Sequence, residues 1–441
     1  MKLTKISNII VFVLFATMLA LFSYKGTQSS FVFNLSLYSG MFFCYLIMLY
    51  NRKQWKFNHL TYVALILHLV VLISETPLSP DVFRFIWDGE LITQGIHPYA
   101  HLPVDLIENP DFNFSPYLQE IYSQMTDLSK NNYSIYPTVN QVYFFITAFF
   151  TENKFAAIVI MRILILLTHI TGFIYLLKLL EFLKIDKYTI FILALNPFVI
   201  IEFAGNLHFE AVMFSWLVIG IYFLLKNKWL LGAFFWSIAI NVKLTPLLLL
   251  PFLFRYLGIK KSIQFYVATG VFTTLMLLVF LWPSMIANFM QSINLYFNNF
   301  EFNASIYFLL KALFYPIYGW ETIYIFGPLL SKIALVLIVL LAFSIKKNNL
   351  PDLFLKMFLG YVVYLLFSTT VHPWYIMLPL GLSIFTRTSF MIIWSYTIMF
   401  TYGFYLLGES WIISLLISIE YFILALTIIY ELVKKKRIIQ F

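Results

Sequence analysis

Long apolar runs separated by short polar breaks fill the chain. They cover residues 8–24, 33–50, 59–75, 154–178, 188–203, 208–225 and 229–243, then 246–257, 262–282, 325–345, 353–370, 372–386, 389–407 and 411–432. A helix that crosses the hydrocarbon core needs about 20 mainly apolar residues, so the longer runs read as spans. The shorter runs meeting at Thr245–Pro246 and at His372–Pro373 suit either separate helices or one broken, re-entrant element. The pattern predicts about 11 to 14 spans. Backbone in lipid must satisfy its own hydrogen bonds, which leaves helices as the spanning element for runs of this length. The predicted class is therefore an all-α polytopic membrane protein, one integral membrane domain over residues 1–441. The first run follows Lys2 and Lys5 and has no small-x-small cleavage site behind it, so it reads as an uncleaved span rather than a signal peptide.

Two stretches interrupt the pattern. Residues 76–135 form the longest hydrophilic segment, rich in Pro, Tyr and Asn, with amphipathic helices expected at 80–94 and near 115–128. The apolar run 135–150 after it reads as re-entrant or interfacial. Residues 284–324 are aromatic and weakly charged, with a further interfacial helix expected from Ser305 to Phe314. Helices of this type lie in the plane of the membrane surface. No internal repeat of the kind many transporters carry is visible.

Composition agrees: AVILMFWYC residues make up 61%, charged residues 11%, and mean hydropathy is +0.87. A soluble domain is about a quarter charged. The net charge of +9 does not point to nucleic acid, because the basic residues sit in the breaks between runs. With Lys2 and Lys5 placed in the cytoplasm, alternation puts most basic clusters on that side. These are Arg52, Lys53 and Lys56; Lys178, Lys184 and Lys187; Lys226 and Lys228; Arg255, Lys260 and Lys261; Lys346 and Lys347; Arg387; and Lys434 to Arg437. Both termini are then cytoplasmic and both interrupting loops external. The first loop carries eight acidic residues against Arg84 and Lys130. Cys44 lies in an apolar run and reads as a small buried hydrophobe.

Ionisable groups in or beside spans are costly and usually functional. Four clusters stand out, all on the external side. Asp81, Arg84 and Asp88 share one face of the helix expected after Pro80, followed by Gly95-Ile-His-Pro-Tyr99. Asp81 there is either a first-turn residue with a local ion pair or a working carboxylate, a general base or metal ligand. Asn206, His208 and Glu210 bunch at a turn between two runs, as a capped hairpin or as hydrogen-bonding groups for a sugar or phosphate. Lys243 interrupts an apolar stretch, either snorkelling to head groups or waiting for an anion such as phosphate. His372-Pro-Trp-Tyr375 is either part of an aromatic belt or the mouth of a head-group pocket. Arg162, inside a long run, reads as snorkelling or as paired with a carboxylate in the bundle.

The run Asp81-x-x-Arg84-x-x-Trp87-Asp88-Gly89, then Gly95-Ile-x-Pro-Tyr99, resembles the polytopic glycosyltransferases of the GT-C fold that use a polyprenyl-phosphate sugar. It is most similar to the bacterial mannosyltransferase-like members related to the alpha-1,2-mannosyltransferases. The turn Gly205–Glu210, the stretch Ala239–Leu250 and His372–Tyr375 extend the resemblance over most of the chain. The turn reads Gly-Asn-Leu-His-Phe-Glu here, where relatives often read Gly-His-His-Asp or Gly-Asn-His-Asp.

The resemblance implies a GT-C-like helical bundle in a bacterial inner membrane, with a catalytic aspartate in the first external loop. It implies a polyprenyl-phosphate donor carrying mannose or a related sugar, and a lipid, glycan or protein acceptor. Transfer by single displacement needs a base for the acceptor hydroxyl and positive or hydrogen-bonding groups at the departing phosphate. Asp81 is the expected base, with Asp88 the other acidic candidate. Lys243, Arg84 and, less directly, His372 with Tyr375 are the expected phosphate side. Asn206, His208 and Glu210 are expected to line the sugar or acceptor pocket. A monophosphate donor does not demand a divalent metal, so no metal or other cofactor is expected. The competing reading is a transporter or flippase for a lipid-linked or small polar substrate.

Overall fold

The computed structural model describes residues 5–74, 78–280, 283–298, 300–386 and 388–434. Lys2, Arg387, Lys435, Lys436 and Arg437, used above for orientation, lie outside the described residues. Helices account for the regular structure, and the described residues contain no strand; Phe302 and Thr370 form an isolated parallel bridge.

Among the described residues, seven helices are long and apolar enough to cross a bilayer: Ile6–Lys25, Phe31–Tyr50, Lys154–Phe182, Ile259–Phe280, Thr322–Phe343, Phe390–Leu407 and Trp411–Lys434. The run 188–203 becomes a bent pair, Lys187–Ala194 and Pro197–Gly205, with a 55° angle between them. Pro197 explains the break, since proline is accepted in a first helical turn but not in a helix interior. Asn196 caps the second piece, accepting from the Phe198 amide at 3.0 Å. Six further apolar helices among the described residues are shorter, including Phe57–Val70, Thr138–Phe150, Glu210–Leu225, Trp229–Val242 and Thr245–Leu257. The chain is thus a multi-pass membrane protein, with large apolar side chains such as Val267, Val271, Leu335 and Phe422 left exposed along its long helices, where lipid takes the place of a core.

The first loop folds as expected over 80–94, where a helix runs from Asp81 to Thr93. Its end is set by Gly95, whose positive φ of 75° suits glycine. The Ile96 amide donates to Leu91 O at 2.8 Å and the Gly95 amide to Ile92 O at 3.1 Å, the two bonds of a Schellman cap. Gly89 allows this helix to press against Thr138–Phe150, because a Cβ there would strike the Phe144 carbonyl. The amphipathic segment near 115–128 forms two short helices, Pro116–Gln124 and Asp127–Lys130, started by Ser115 and Thr126 caps. In the second loop the helix expected from Ser305 runs over Ile306–Tyr318.

Two tethers join distant parts of the chain. Arg162 is 1% exposed. It donates to the carbonyls of Gly205 (3.2 and 2.8 Å), Leu72 (3.2 Å) and Ser74 (2.6 Å). It neither snorkels nor, in these contacts, meets a carboxylate: main-chain oxygens solvate the guanidinium. In the last helix, buried Glu420 accepts from Trp394 Nε1 at 2.8 Å and from Asn303 Nδ2 at 3.3 Å. That anchors the second loop, whose Phe302 amide donates to Thr369 O and whose Phe302 carbonyl receives the Val371 amide.

Candidate active site

Asp81 is the first residue of its helix, where the unpaired amides favour a negative charge. The segment before it is pinned: the Leu78 amide donates to Asn206 Oδ1 at 2.8 Å. Asn206 Nδ2 in turn meets Tyr402 Oη at 3.1 Å and Glu202 Oε1 at 3.4 Å. The Gly205–Glu210 turn therefore holds the approach to Asp81 as well as carrying polar groups of its own. Leu207 sits at φ 65° in that turn, a left-handed position that a β-carbon makes uncommon.

Lys243 lies just past the end of Trp229–Val242, in extended backbone. Asn140, on the helix packed against the Asp81 helix, donates to Val242 O at 3.0 Å and so fixes the lysine's neighbour. Lys243 Nζ pairs with the Glu210 carboxylate and lies 4.4 Å from the centre of the Tyr375 ring, a cation–π placement. Asp81 belongs to the same cluster. Burial pushes its carboxyl up to about 6; Lys243 pulls it down, Glu210 pushes it up, and a hydrogen bond from Tyr136 pulls it down. Residues from three separate stretches thus meet, Glu210, Lys243 and Tyr375, and Asp81 from a fourth lies within reach of the charges of this pair.

Behind them stands an aromatic stack. The His208 ring centre lies 3.5 Å from that of Trp374, and the His372 ring lies 4.6 Å from the same indole at 2° to it. Phe302 of the second loop follows, 4.8 Å from His372. Burial, then Lys243, holds His372 down at about 3; burial, Lys243 and His372 together lower His208. Both imidazoles are neutral near pH 7, so neither offers a charge to a phosphate. His208 Nε2 lies 3.6 Å from Glu202 Oε2, too long for a hydrogen bond.

Arg84 and Asp88 are given to each other. Both are buried, with Arg84 Nε donating to Asp88 Oδ1 at 2.7 Å. Arg84 Nη1 also donates to the carbonyls of Ser129 (2.7 Å) and Asn132 (2.8 Å). Asp88 Oδ2 accepts from Ser134 Oγ at 2.5 Å and Gln141 Nε2 at 3.1 Å. This clamp fastens the Asp81 helix to the loop around 129–134. The guanidinium expected at the phosphate is engaged by a carboxylate and two carbonyls instead. The rest of the motif serves the same end. Tyr99 Oη donates to Tyr136 O at 2.5 Å, and Tyr136 in turn helps to lower the Asp81 carboxyl.

Reading the sequence missed Glu202, Tyr402, Tyr136, Asn140 and Gln141. Glu202 carried a signal, an acid inside an apolar run; the others are tyrosines and amides of kinds abundant throughout the chain. Among the described residues no three His, Cys, Asp or Glu side chains gather as a metal site would require.

Comparison with known proteins bears on the same residues. Residues 12–258 match the family described as alpha-(1->6)-mannopyranosyltransferase, N-terminal domain. That range holds Asp81, Arg84, Asp88, Asn206, His208, Glu210 and Lys243, and stops before His372 and Tyr375. A curated relative, alpha-(1->6)-mannopyranosyltransferase A of Corynebacterium glutamicum, is 24% identical over 186 residues, 42% of this chain and 36% of that protein. The match thus spans about a third of the relative's length. With more than half of its length covered by the family match, the chain belongs to the alpha-(1->6)-mannopyranosyltransferase family.

Proposed function

We propose that this protein is an inverting glycosyltransferase that moves mannose from a polyprenyl-phosphate donor to a lipid, glycan or protein acceptor at the external face of a bacterial inner membrane. The observation that carries the reading is the Lys243–Glu210 pair, whose two charges both act on the carboxyl of Asp81, at a helix start in a distant part of the chain. Family membership supplies the sugar class.

In this reading Asp81 takes the proton of the acceptor hydroxyl as it attacks the anomeric carbon. A carboxyl raised to about 6 remains ionised at neutral pH and is a stronger base than an exposed one. The C–O bond to the donor phosphate breaks as the new glycosidic bond forms, and its electron pair leaves with the phosphate. Lys243 stabilises that growing charge. Arg84 and Asp88 act as positioning residues, Tyr375 as the floor under Lys243, and the neutral His208 and His372 as walls of the sugar pocket. Lys243 supplies the positive charge at the phosphate, so transfer proceeds without a divalent metal.

The transporter reading asks for broken helices in matched halves of the chain; the described residues contain one bent pair, Lys187–Ala194 with Pro197–Gly205. The test is direct. Purified protein in detergent, given polyprenyl-phosphate mannose and a mannoside acceptor, should release polyprenyl phosphate and form a product of inverted anomeric configuration. No transfer from that donor with any mannoside, lipid or peptide acceptor would count against the reading.

A further inference from the structure

We propose that Glu210 is a built-in stand-in for the donor phosphate: it holds Lys243 in the ligand-free enzyme and releases it when the phosphate of a lipid-phosphate sugar arrives. The inference rests on the assignment of Lys243 to the phosphate.

Three observations lead to it. First, the Lys243 ammonium is already engaged by the Glu210 carboxylate. An incoming phosphate oxygen seeks the same donor and must share or displace that partner. Second, the two members of the pair differ in freedom. Glu210 is 3% exposed, at the start of the Glu210–Leu225 helix, while the Lys243 side chain is 31% exposed. The lysine is the mobile partner, on a flexible four-carbon stem that can swing to a ligand. Tyr375 at 4.4 Å gives it a second contact that survives the exchange. Third, the charges do not balance. Glu210 pairs with Lys243 and Asp81 lies within the electrostatic reach of both, so an anion entering beside Lys243 has two carboxylates and one cation as neighbours.

The chemistry gives this arrangement a use. The donor is a phosphodiester with one negative charge, and the departing lipid phosphate is a monoester carrying about 1.5 to 2. A lysine with no competing carboxylate would hold the product more tightly than the donor. Glu210 returns to Lys243 as the product leaves, which lowers the affinity for both and favours release. A helix-start carboxylate has a plain structural role as well, since it favours the helix it begins. That role predicts lower stability for a neutral variant and no gain in phosphate binding.

The experiment measures phosphate binding by calorimetry in detergent at pH 8, where Asp81 is ionised. The probes are a short-chain isoprenyl monophosphate and inorganic phosphate. Glu210→Gln, which keeps the shape and removes the charge, should bind both about tenfold or more tightly than wild type, since a carboxylate a few ångströms from the anion no longer repels it. Glu210→Asp, which shortens the reach to Lys243, should shift affinity in the same direction by less and covers the case in which the glutamine variant fails to fold. Unchanged or weaker binding by the folded variants would overturn the proposal, as would tightening confined to the lipid probe, which would place the effect in the chain-binding surface. Lys243→Ala separates the two readings. If it binds phosphate like wild type, the assignment of Lys243 fails. If it weakens binding while Glu210→Gln does not tighten it, only the exchange fails.

Discussion

Replacing Asp88 by Asn separates holding the site from performing its chemistry. The carboxylate is fully buried and accepts from Arg84, Ser134 and Gln141. Asparagine keeps the shape but removes the charge, and turns one acceptor oxygen into a donor that faces other donors. Arg84, 4% exposed, then keeps its charge with only neutral oxygens as partners. Removing one member of a buried, hydrogen-bonded ion pair costs about 3–5 kcal/mol. The expected result is a large drop in the unfolding midpoint in micelles, with turnover per folded molecule changed far less. Removing both charges, Arg84→Met with Asp88→Leu, should cost less than the sum of the two single changes by about 1 kcal/mol or more, the signature of direct coupling. An Asp88→Asn protein that unfolds like wild type yet loses over about 100-fold in turnover would refute this reasoning and make Asp88 part of the chemistry.

Three further outcomes are expected. Lys243→Ala should raise the donor KM and lower kcat in steady-state transfer assays, while Lys243→Arg, which keeps the charge, is milder; an unaltered donor KM for the alanine variant would leave Lys243 as the structural partner of Glu210 alone. The groups facing Asp81 are Lys243, Glu210, Tyr136 and Tyr405, and its carboxyl sits at about 6, so kcat/KM should fall roughly tenfold per pH unit below that point and level off above it. Because Lys243 lowers this value, Lys243→Ala should move the limb to higher pH, and a limb that stays in place would contradict the electrostatic coupling of the two groups. Asp105→Cys should react with an impermeant thiol reagent from outside and Lys347→Cys only from inside; both positions are exposed, and native Cys44 is buried, so the opposite pattern would reverse the proposed topology.

The helical class, the amphipathic helix after Pro80, the break in the chain near Thr245 and the polar turn at 205–210 were all legible, because each rests on local pattern: apolar run length, an i, i+3, i+7 face, proline and glycine punctuation. What local pattern does not carry is which groups meet. Arg84 reads equally as a phosphate ligand or half of an ion pair until the carbonyls of Ser129 and Asn132 are seen beside it. Arg162 reads as snorkelling until its carbonyl cage appears. Glu202 was visible as an acid in an apolar run, but its link through Asn206 to Leu78, three residues before Asp81, needs the bent helix pair and the Tyr402 hydroxyl in place. The Lys243–Glu210 pair joins two helices of a hairpin whose ends approach only once both are packed.

The central claim is that Asp81 is the base of a mannosyl transfer. Its most direct test is turnover of Asp81→Asn with purified polyprenyl-phosphate mannose, at matched folded protein and pH 8. The variant keeps the volume and hydrogen-bonding reach of the side chain and loses its ability to take a proton, so turnover at saturating donor should fall about 10²- to 10⁴-fold. Turnover within about threefold of wild type, far short of what general base catalysis contributes, would contradict the account and place the base elsewhere.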